Sequence, residues 1–169
     1  MMQVYLLRHG IAEEGKPGVS DADRALTPEG RRRLRHVLEL ASEAKVKPDL
    51  ILTSPLKRAV QTAAIARQVF GHKEKIAESR ALMPGSSTDE TWQEIRAHEE
   101  AAPSLLLVGH NPLFADLAAY LLGTPNAQVE FKKGAIMRID FESLSLKPKG
   151  ILRWYLTAAL ASHKDSGRA

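Results

Sequence analysis

The sequence predicts an α/β fold, a three-layer sandwich whose central sheet is mainly parallel and carries an antiparallel edge strand. Short apolar runs rich in branched residues alternate along the chain with longer stretches of helical spacing. Two segments near the C-terminal end alternate apolar and polar residues around a Pro-Lys-Gly turn, which is typical of a hairpin. A chain of 169 residues suits one compact domain. We therefore expect a single domain over residues 1–160 and a flexible tail over residues 161–169.

Three short runs are the predicted parallel strands, and they occupy residues 4–7, 50–52 and 105–108. Their continuous apolar character predicts burial on both faces of the sheet, as parallel strands in such folds require. The predicted hairpin comprises residues 135–141 and 151–157, and it supplies the antiparallel edge.

Four helices are predicted between and after these strands from their start and stop signals. Thr27 is a suitable N-cap and Pro28 suits the first helical position. Apolar residues then follow at intervals of three and four toward Lys45. One of the other three predicted helices begins at Ser54 and Pro55. Another spans residues 88–102, and the last begins at Asn111 and Pro112.

Composition and charge exclude several classes of chemistry. The chain has no cysteine, which rules out disulfide frameworks, zinc ribbons, iron–sulfur clusters and a thiol nucleophile. Its net charge of +4 is too small to indicate nucleic-acid binding, and its few aromatic residues are scattered. No apolar run approaches the roughly 18 residues that a membrane span needs. The sequence starts without a basic leader, so we expect a cytoplasmic protein that binds neither nucleic acid nor a membrane.

Charged and imidazole side chains follow the predicted strands directly. Arg8 and His9 come after the first strand, and Arg58 lies in the first turn of the helix after the second. His110 and Asn111 follow the third strand. Because parallel strands meet with their carboxyl ends at one edge, ligands of open α/β sheets bind there. We therefore expect these five residues to line one site.

Each of these residues also has an ordinary structural interpretation. A single histidine is more often a surface or structural residue than a catalytic one, and Arg58 could be solvated or paired with Asp49. Two arginines and two histidines on one edge would, however, repel one another in a partly desolvated site unless an anion lay between them. A phosphoryl group fits, because its oxygens accept from guanidinium, imidazole and helix N-terminal donors. The combination therefore favours a phosphate-binding site.

Four motifs, correctly ordered, resemble those of the histidine phosphatase superfamily, which has the phosphoglycerate mutase-like fold. They are Leu7-Arg8-His9-Gly10, Leu26-Thr27-Pro28-Glu29-Gly30, the stretch from Ser54 to Ala63, and Gly109-His110-Asn111-Pro112. The resemblance covers residues 4 to about 123, most of the chain. The short length and the opening residues are most similar to the SixA-type protein phosphohistidine phosphatases.

The resemblance implies a covalent mechanism that uses no metal and no other cofactor. His9 would attack phosphorus and form a phosphohistidine intermediate, for which it must be neutral. We expect the Arg8 and Arg58 cations to lower the pKa of His9 toward that state. Arg8, Arg58 and His110 would hold the phosphoryl oxygens. Asn111 would be a further phosphate-binding residue, and inorganic phosphate or sulfate would bind in the same pocket.

The chain departs from the wider family at two places. Many members carry an asparagine six residues after the nucleophile, where this chain has Gly15. Many also carry an acidic proton donor after the third strand, whereas residues 82–85 contain no carboxylate, and Glu78, Glu13 and Glu14 are weak substitutes. Protonating an alcohol leaving group is worth about 10² to 10⁴ in rate. A phosphohistidine leaves as imidazole, which can already carry its proton, so the sequence favours that substrate.

Three functions stay open on this basis. The first is a phosphatase that acts on phosphohistidine in a protein, either a phosphotransfer domain or a sugar-transport phosphocarrier. The second is a general small-molecule phosphomonoesterase. The third is a non-catalytic module that binds phosphorylated partners, although such a module has no need of a nucleophile at position 9.

Two basic features have open roles outside this site. Each is interpreted either as solvated surface or as a contact for an acidic partner or an anionic substrate. They are the run Arg31, Arg32, Arg33 and Arg35 on the first predicted helix, and the pair Lys132 and Lys133 before the hairpin.

Overall fold

The computed structural model describes residues 1–166 of the chain, with side chains as far as residue 162. Strands and helices alternate along this range. The strands are β1 Met2–Arg8, β2 Leu50–Thr53, β3 Ala77–Glu78, β4 Ser104–Gly109, β5 Ile136–Phe141 and β6 Ile151–Leu156. The helices are α1 Pro28–Glu43, α2 Lys57–Val69, α3 Thr88–Ala97, α4 Leu113–Leu121 and α5 Ala158–Ser166. Two single-turn 3-10 helices span Asp21–Asp23 and Arg80–Leu82.

The strands form one six-stranded sheet in the order β3-β2-β4-β1-β5-β6. Strands β3, β2, β4 and β1 pair in parallel, and β5 pairs antiparallel with both β1 and β6. The hairpin therefore occupies one edge, with β5 as the reversed strand and β6 running in the direction of the parallel set. This confirms the predicted α/β sandwich with a mainly parallel sheet. The sequence does not predict β3, because two residues carry no periodicity.

Side chains alternate between the two faces of the sheet and build a core on each. Along β1, Val4 and Leu6 face a cluster with α3 and α4, whereas Tyr5 and Leu7 face a cluster with α1, α2 and α5. All six residues of β4 are buried. Burying one Leu or Val side chain contributes about 1.5–3 kcal/mol relative to exposure. The two strands that lead into His9 and His110 are therefore held firmly at the centre.

Helices α1 and α2 differ in how their N-termini are capped. Thr27 caps α1 as predicted, because its side-chain oxygen accepts from the Gly30 amide at 2.9 Å. Helix α2 begins at Lys57, two residues after the predicted start at Ser54 and Pro55. The Ser54 hydroxyl accepts from the Leu56 amide at 3.3 Å and contacts His110, so it belongs to a turn before the helix.

Two other helix boundaries differ from the prediction. Helix α4 begins at Leu113 rather than at Asn111, and its first turn is closed by the Phe114 amide, which donates to the His110 carbonyl at 2.8 Å. Helix α3 ends at Ala97, and residues 98–101 form turns where the sequence predicts helix as far as residue 102. Short-range periodicity does not distinguish a last helical turn from tight turns.

The C-terminal segment contains a helix that the sequence does not predict. Residues 158–166 form α5 where a flexible tail is expected from residue 161. The reason is packing: Ala161 is fully buried against α1, and its carbonyl contacts the Nε2 atom of His36 at 3.0 Å. The part of the predicted tail at residues 167–169 lies outside the described residues.

The loop after β1 packs directly on the start of α1. A Cβ atom on Gly30 would lie 2.2 Å from the carbonyl oxygen of Ile11, so no side chain fits there. The same carbonyl accepts from the Thr27 amide at 3.0 Å. This close approach holds the loop that follows His9 against the first turn of α1, next to the run of arginines at residues 31–35.

No helix within residues 1–166 is both long and apolar enough to cross a bilayer. The expected cytoplasmic location stays a prediction.

Candidate active site

The carboxyl ends of β1, β4 and β2 lie side by side and bring the candidate residues together. The His9 amide donates to the Gly109 carbonyl at 3.0 Å, and the Ser54 amide donates to the Val108 carbonyl at 2.9 Å. These bonds extend the parallel ladder one residue past the strands. The first residues of the three following loops therefore meet at one rim of the sheet.

His9 and His110 are the centre of this rim. Their ring centroids lie 5.1 Å apart at an interplanar angle of 53°. Both are buried, with 7% of His9 and 2% of His110 exposed. The two imidazoles are thus close enough to contact one small ligand.

One nitrogen of the His9 ring has no hydrogen-bond partner among the described residues. Its Nδ1 donates to the Gly10 carbonyl at 2.7 Å, and since a carbonyl only accepts, the hydrogen sits on Nδ1 and a lone pair stays on Nε2. The pKa of His9 is lowered to about 4, chiefly because burial disfavours the charged ring. The hydrogen bond to Gly10 raises the pKa of His9. The Arg58, Arg8 and Lys133 cations lower this pKa further. The sequence predicts the direction from the two arginines but not the larger contribution of burial.

His110 is held through its other nitrogen. Its Nε2 lies 2.7 Å from the Ser54 hydroxyl, which also accepts from the Leu56 amide. The hydroxyl satisfies both contacts by donating to Nε2, which leaves the ring hydrogen on Nδ1. Burial is the main reason that the pKa of His110 is lowered to about 3. The neighbouring His9 and Arg58 act in the same direction. The neutral ring is therefore a hydrogen-bond donor at physiological pH.

Two arginines border the histidines with part of their donors unused. Arg8 Nη1 donates to the Phe131 carbonyl at 2.7 Å. Arg58 is 5% exposed and donates to the backbone oxygen and to the carboxylate of Asp21, at 2.8 and 3.1 Å. The Nε atoms of both arginines and the Nδ1 of His110 are buried with no hydrogen-bond partner among the described residues. Buried unsatisfied donors are costly, and three of them belong to residues next to His9.

The partner of Arg58 is not the one that the sequence offers as an alternative. Asp49 accepts instead from the Ser104 amide at 2.9 Å. Asp21 pairs with Arg58 although its side chain is 63% exposed, and hydrogen bonds, first from Arg24 and then from Arg58, lower its pKa. The sequence misses Asp21 because it lies in a loop with no motif, far along the chain from Arg58.

Thr62 is a second contact that sequence reasoning misses. Its hydroxyl accepts from the Gly10 amide at 3.2 Å and donates to the Arg58 carbonyl at 2.7 Å. It lies within the 54–63 motif, four residues after Arg58, which is the spacing at which a helical Thr reaches back along its own helix. This bridge fixes the backbone beside His9 relative to α2.

The remaining predicted residues lie at different distances from this centre. The amide of Asn111 donates to the Phe131 carbonyl at 3.0 Å, the oxygen that Arg8 also contacts, so its predicted phosphate contact stays a prediction. Gly15, Glu13 and Glu14 lie in an exposed loop. Glu78 is exposed on β3. The carboxylate that the structure does bring to the rim is Asp21. No group of three His, Asp or Glu side chains within the described residues has the geometry of a metal site.

The family follows from a comparison of sequences. A profile of the histidine phosphatase superfamily, branch 1, matches residues 4–102, more than half of the chain. The chain belongs to the histidine phosphatase superfamily. The matched range of this histidine phosphatase contains Arg8, His9 and Arg58, and His110 lies beyond it.

Relatives of this histidine phosphatase agree in fold. An uncharacterized protein of Picosynechococcus is 34% identical over 140 residues, which are 80% of this chain and 83% of that protein. The structure of the protein histidine phosphatase SixA with tungstate is similar with a TM-score of 0.81 and 25% identity, over 94% of this chain and 98% of that one. A proposed SixA phosphohistidine phosphatase from Agrobacterium tumefaciens has a TM-score of 0.76 and 26% identity, over 92% and 97%. The fold is the phosphoglycerate mutase-like one, and a phosphatase activity follows from the family.

Proposed function

We propose that this histidine phosphatase hydrolyses phosphohistidine on a partner protein through a covalent phosphohistidine intermediate on His9. The observation that carries this proposal is the state of His9. Its Nδ1 is committed to the Gly10 carbonyl, its Nε2 is free, and its pKa is lowered to about 4. A neutral imidazole with one available lone pair is the form that attacks phosphorus.

In the first step, His9 Nε2 attacks the phosphorus of the partner's phosphohistidine in line with the bond to be broken. A P–N bond to His9 forms as the P–N bond to the partner's imidazole breaks. The departing imidazole takes the electron pair of that bond and leaves neutral, because the other ring nitrogen of the partner's phosphohistidine already carries a proton before the bond breaks. In the second step, a water oxygen attacks the same phosphorus, the bond to Nε2 breaks, and inorganic phosphate and one proton are released.

The surrounding side chains act through positioning and charge. Arg8, Arg58 and His110 would bind the transferring oxygens, and each carries a buried donor without a partner among the described residues. Phosphoryl transfer carries negative charge on these oxygens throughout, so two fixed cations lower the barrier in both steps. We assign Asn111 a lesser part in phosphate binding, because its amide group already donates to Phe131.

The leaving group supports a phosphohistidine substrate over a sugar phosphate. Residues 82–85 offer no carboxylate as a proton donor, and the Asp21 carboxylate is ionised and paired with two arginines. An alkoxide would therefore leave without a proton, at a cost of about 10² to 10⁴ in rate. Similarity to a protein histidine phosphatase over nearly the full length of both chains supports the same substrate class. The partner would be a phosphotransfer domain or a phosphocarrier.

A substrate panel with two histidine variants tests this function. We expect wild-type protein to hydrolyse a phosphohistidine peptide at least about 10²-fold more efficiently than a sugar phosphate, as the missing acid predicts. His9→Ala should lose activity on both by about 10⁴-fold or more. His98→Ala, which removes a histidine that contacts Glu94 on α3, is the matched control and should keep it.

Quenched reactions test the intermediate directly. Wild-type protein should carry phosphate that is labile in acid and stable in alkali, and His9→Ala should carry none. Full activity of His9→Ala would refute the covalent mechanism. A preference for sugar phosphates would instead indicate a general phosphomonoesterase, and absence of turnover on any substrate would indicate a binding module.

A further inference from the structure

A cavity of about 550 Å³ lies beside the histidine pair and shares Arg8 with it. Neither His9 nor His110 lines this cavity, which lies between the loop after β1, the start of α1, the loop before β5 and the first turn of α5. Its size is within the range of ligand sites and exceeds what one phosphoryl group needs. The cavity is therefore separate from the phosphoryl site, next to it, and large enough for a side chain of a substrate.

Glycine backbone forms the wall between this cavity and His9. Gly134 has a φ of +72°, a conformation that favours glycine, and its amide donates to the carbonyls of Arg8 and His9 at 3.1 and 3.0 Å. Gly10 and Gly30 line the same wall. A ligand in the cavity would therefore lie against the backbone that carries His9.

The side chains around the cavity are mostly basic at the rim and apolar at the base. Arg33, Lys132 and Lys133 line it together with Arg8, while Ile11 and Leu34 supply apolar surface. The first turn of α5 adds two alanines and a positive helix end. Such a mixture suits an anion carried on a short aliphatic stem.

The carboxylates nearby leave this positive charge largely uncompensated. Glu130 pairs with Lys132, and Glu29 approaches Arg33 only to 3.9 Å, and both glutamates are exposed. Lys133 makes no hydrogen bond or ion pair among the described residues. Its ammonium is nevertheless close enough to His9 to contribute to the lowered pKa of that ring. Lys133, which has no partner among the described residues, and the weakly paired Arg33 therefore line the cavity next to His9.

We propose that this cavity binds the carboxylate of an acidic residue of the partner protein that flanks the phosphohistidine. The inference rests on the proposed function and adds a rule for partner choice. A Glu or Asp side chain has the aliphatic stem that Ile11 and Leu34 suit and the carboxylate that Lys133 and Arg33 would pair with. The wall of glycine backbone lets it lie beside the reacting group.

Two matched phosphohistidine peptides test this rule. One carries Glu on both sides of the phosphohistidine, and the other carries Gln at the same positions. We expect wild-type protein to favour the Glu peptide by about tenfold in kcat/KM, the range of a few partly exposed ion pairs, and to lose that preference at high salt. The double variant Arg33→Gln/Lys133→Gln should bring the ratio of the two peptides close to one.

The control variant removes the same charge elsewhere. Arg31→Gln/Lys149→Gln loses two exposed cations that do not line the cavity and should keep the tenfold ratio. Because the readout is a ratio within each variant, any effect on His9 cancels. Equal turnover of the two peptides by wild-type protein would overturn this inference and leave the proposed function intact. Failure to hydrolyse either peptide would overturn the proposed function.

One further outcome would reassign the cavity. If sugar bisphosphates are hydrolysed better than sugar monophosphates, and Arg33→Gln/Lys133→Gln removes that difference, the second anion belongs to a small molecule. That result would overturn the assignment to a protein partner.

Discussion

Two clusters of charge, one on the β5–β6 hairpin and one at the rim, differ in how their charged groups are paired. On the hairpin, the Asp140 carboxylate is 2% exposed and accepts from Arg138 at 2.8 and 2.9 Å and from Arg153 at 2.8 Å. Burial would raise the pKa of Asp140, but these hydrogen bonds outweigh it and lower the pKa. At the rim, Arg8 and Arg58 face two neutral histidines, and one exposed carboxylate, that of Asp21, pairs with Arg58.

The difference separates a cluster whose charged groups satisfy one another from a cluster that keeps unpartnered donors. In the hairpin cluster every carboxylate oxygen has a guanidinium partner, so the cluster needs nothing else. In the rim cluster, buried Nε and Nδ1 donors have no partner among the described residues, which costs stability. Stability is commonly lower at sites that must bind charge. A substitution in the rim cluster should therefore mainly lower activity, whereas a substitution in the hairpin cluster should mainly lower the free energy of unfolding.

We expect the largest effect from a substitution in the rim cluster, and we expect it on catalytic activity. Arg58→Met keeps most of the side-chain volume and removes the charge, so we expect kcat/KM on a phosphohistidine peptide to fall by about 10² to 10³-fold. The temperature of thermal unfolding should change little, because Arg58→Met removes a buried unsatisfied donor together with the two hydrogen bonds to the exposed Asp21. Arg67→Met, on the exposed side of the same helix, is the control and should change neither property. Retained activity in Arg58→Met would remove Arg58 from the site.

The second largest effect concerns the stability of the protein at acidic pH and arises from the two histidines of the rim cluster. The unfolded chain protonates its histidines near pH 6.5, whereas folded His9 and His110 resist protonation until about pH 4 and about pH 3. Acidification from pH 6.5 therefore favours the unfolded state, by up to about 1.4 kcal/mol per pH unit for each histidine. We expect the free energy of unfolding to fall by about 5 kcal/mol between pH 7 and pH 4.5.

Urea unfolding at a series of pH values measures this fall. The double variant His9→Gln/His110→Gln should show a clearly shallower dependence over the same window, since it lacks both titrating rings. Parallel curves for the variant and the wild-type protein would contradict the burial that we assign to the histidine pair.

The smallest effect comes from the hairpin and concerns stability alone. Arg138→Met leaves Asp140 with Arg153 as its remaining guanidinium partner, and we expect a loss of about 1–2 kcal/mol in the free energy of unfolding. Activity should stay within about twofold of wild type, because Asp140 pairs with Gln3 near the start of β1, whereas His9 follows the end of that strand. Arg96→Met, an arginine near the end of α3, controls for the loss of one charge. A large loss of activity in Arg138→Met would mean that the two clusters are not independent.

The sequence predicts which residues meet at the rim because the topology of a parallel sheet determines where its strands end. His9 and His110 each follow a buried parallel strand, and neighbouring strands bring their ends together wherever the chain runs between them. Asp21 and the Phe131 carbonyl could not be found in this way, because both lie in loops whose paths depend on packing. The main cause of the low pKa of His9 was also out of reach, since burial of a loop residue depends on what surrounds it in three dimensions. Likewise, α5 follows from contact with α1 rather than from its own pattern.

The carbonyl oxygen of Phe131 has a consequence for how binding and chemistry communicate. It accepts from both Arg8 and Asn111, and the ring of Phe131 is wedged between those of Phe114 and Tyr155. The next residues along the chain are the two lysines of the basic cavity. The peptide unit that holds Arg8 and Asn111 is therefore also the one from which the two lysines extend, so a displacement of this loop would reach all four side chains together.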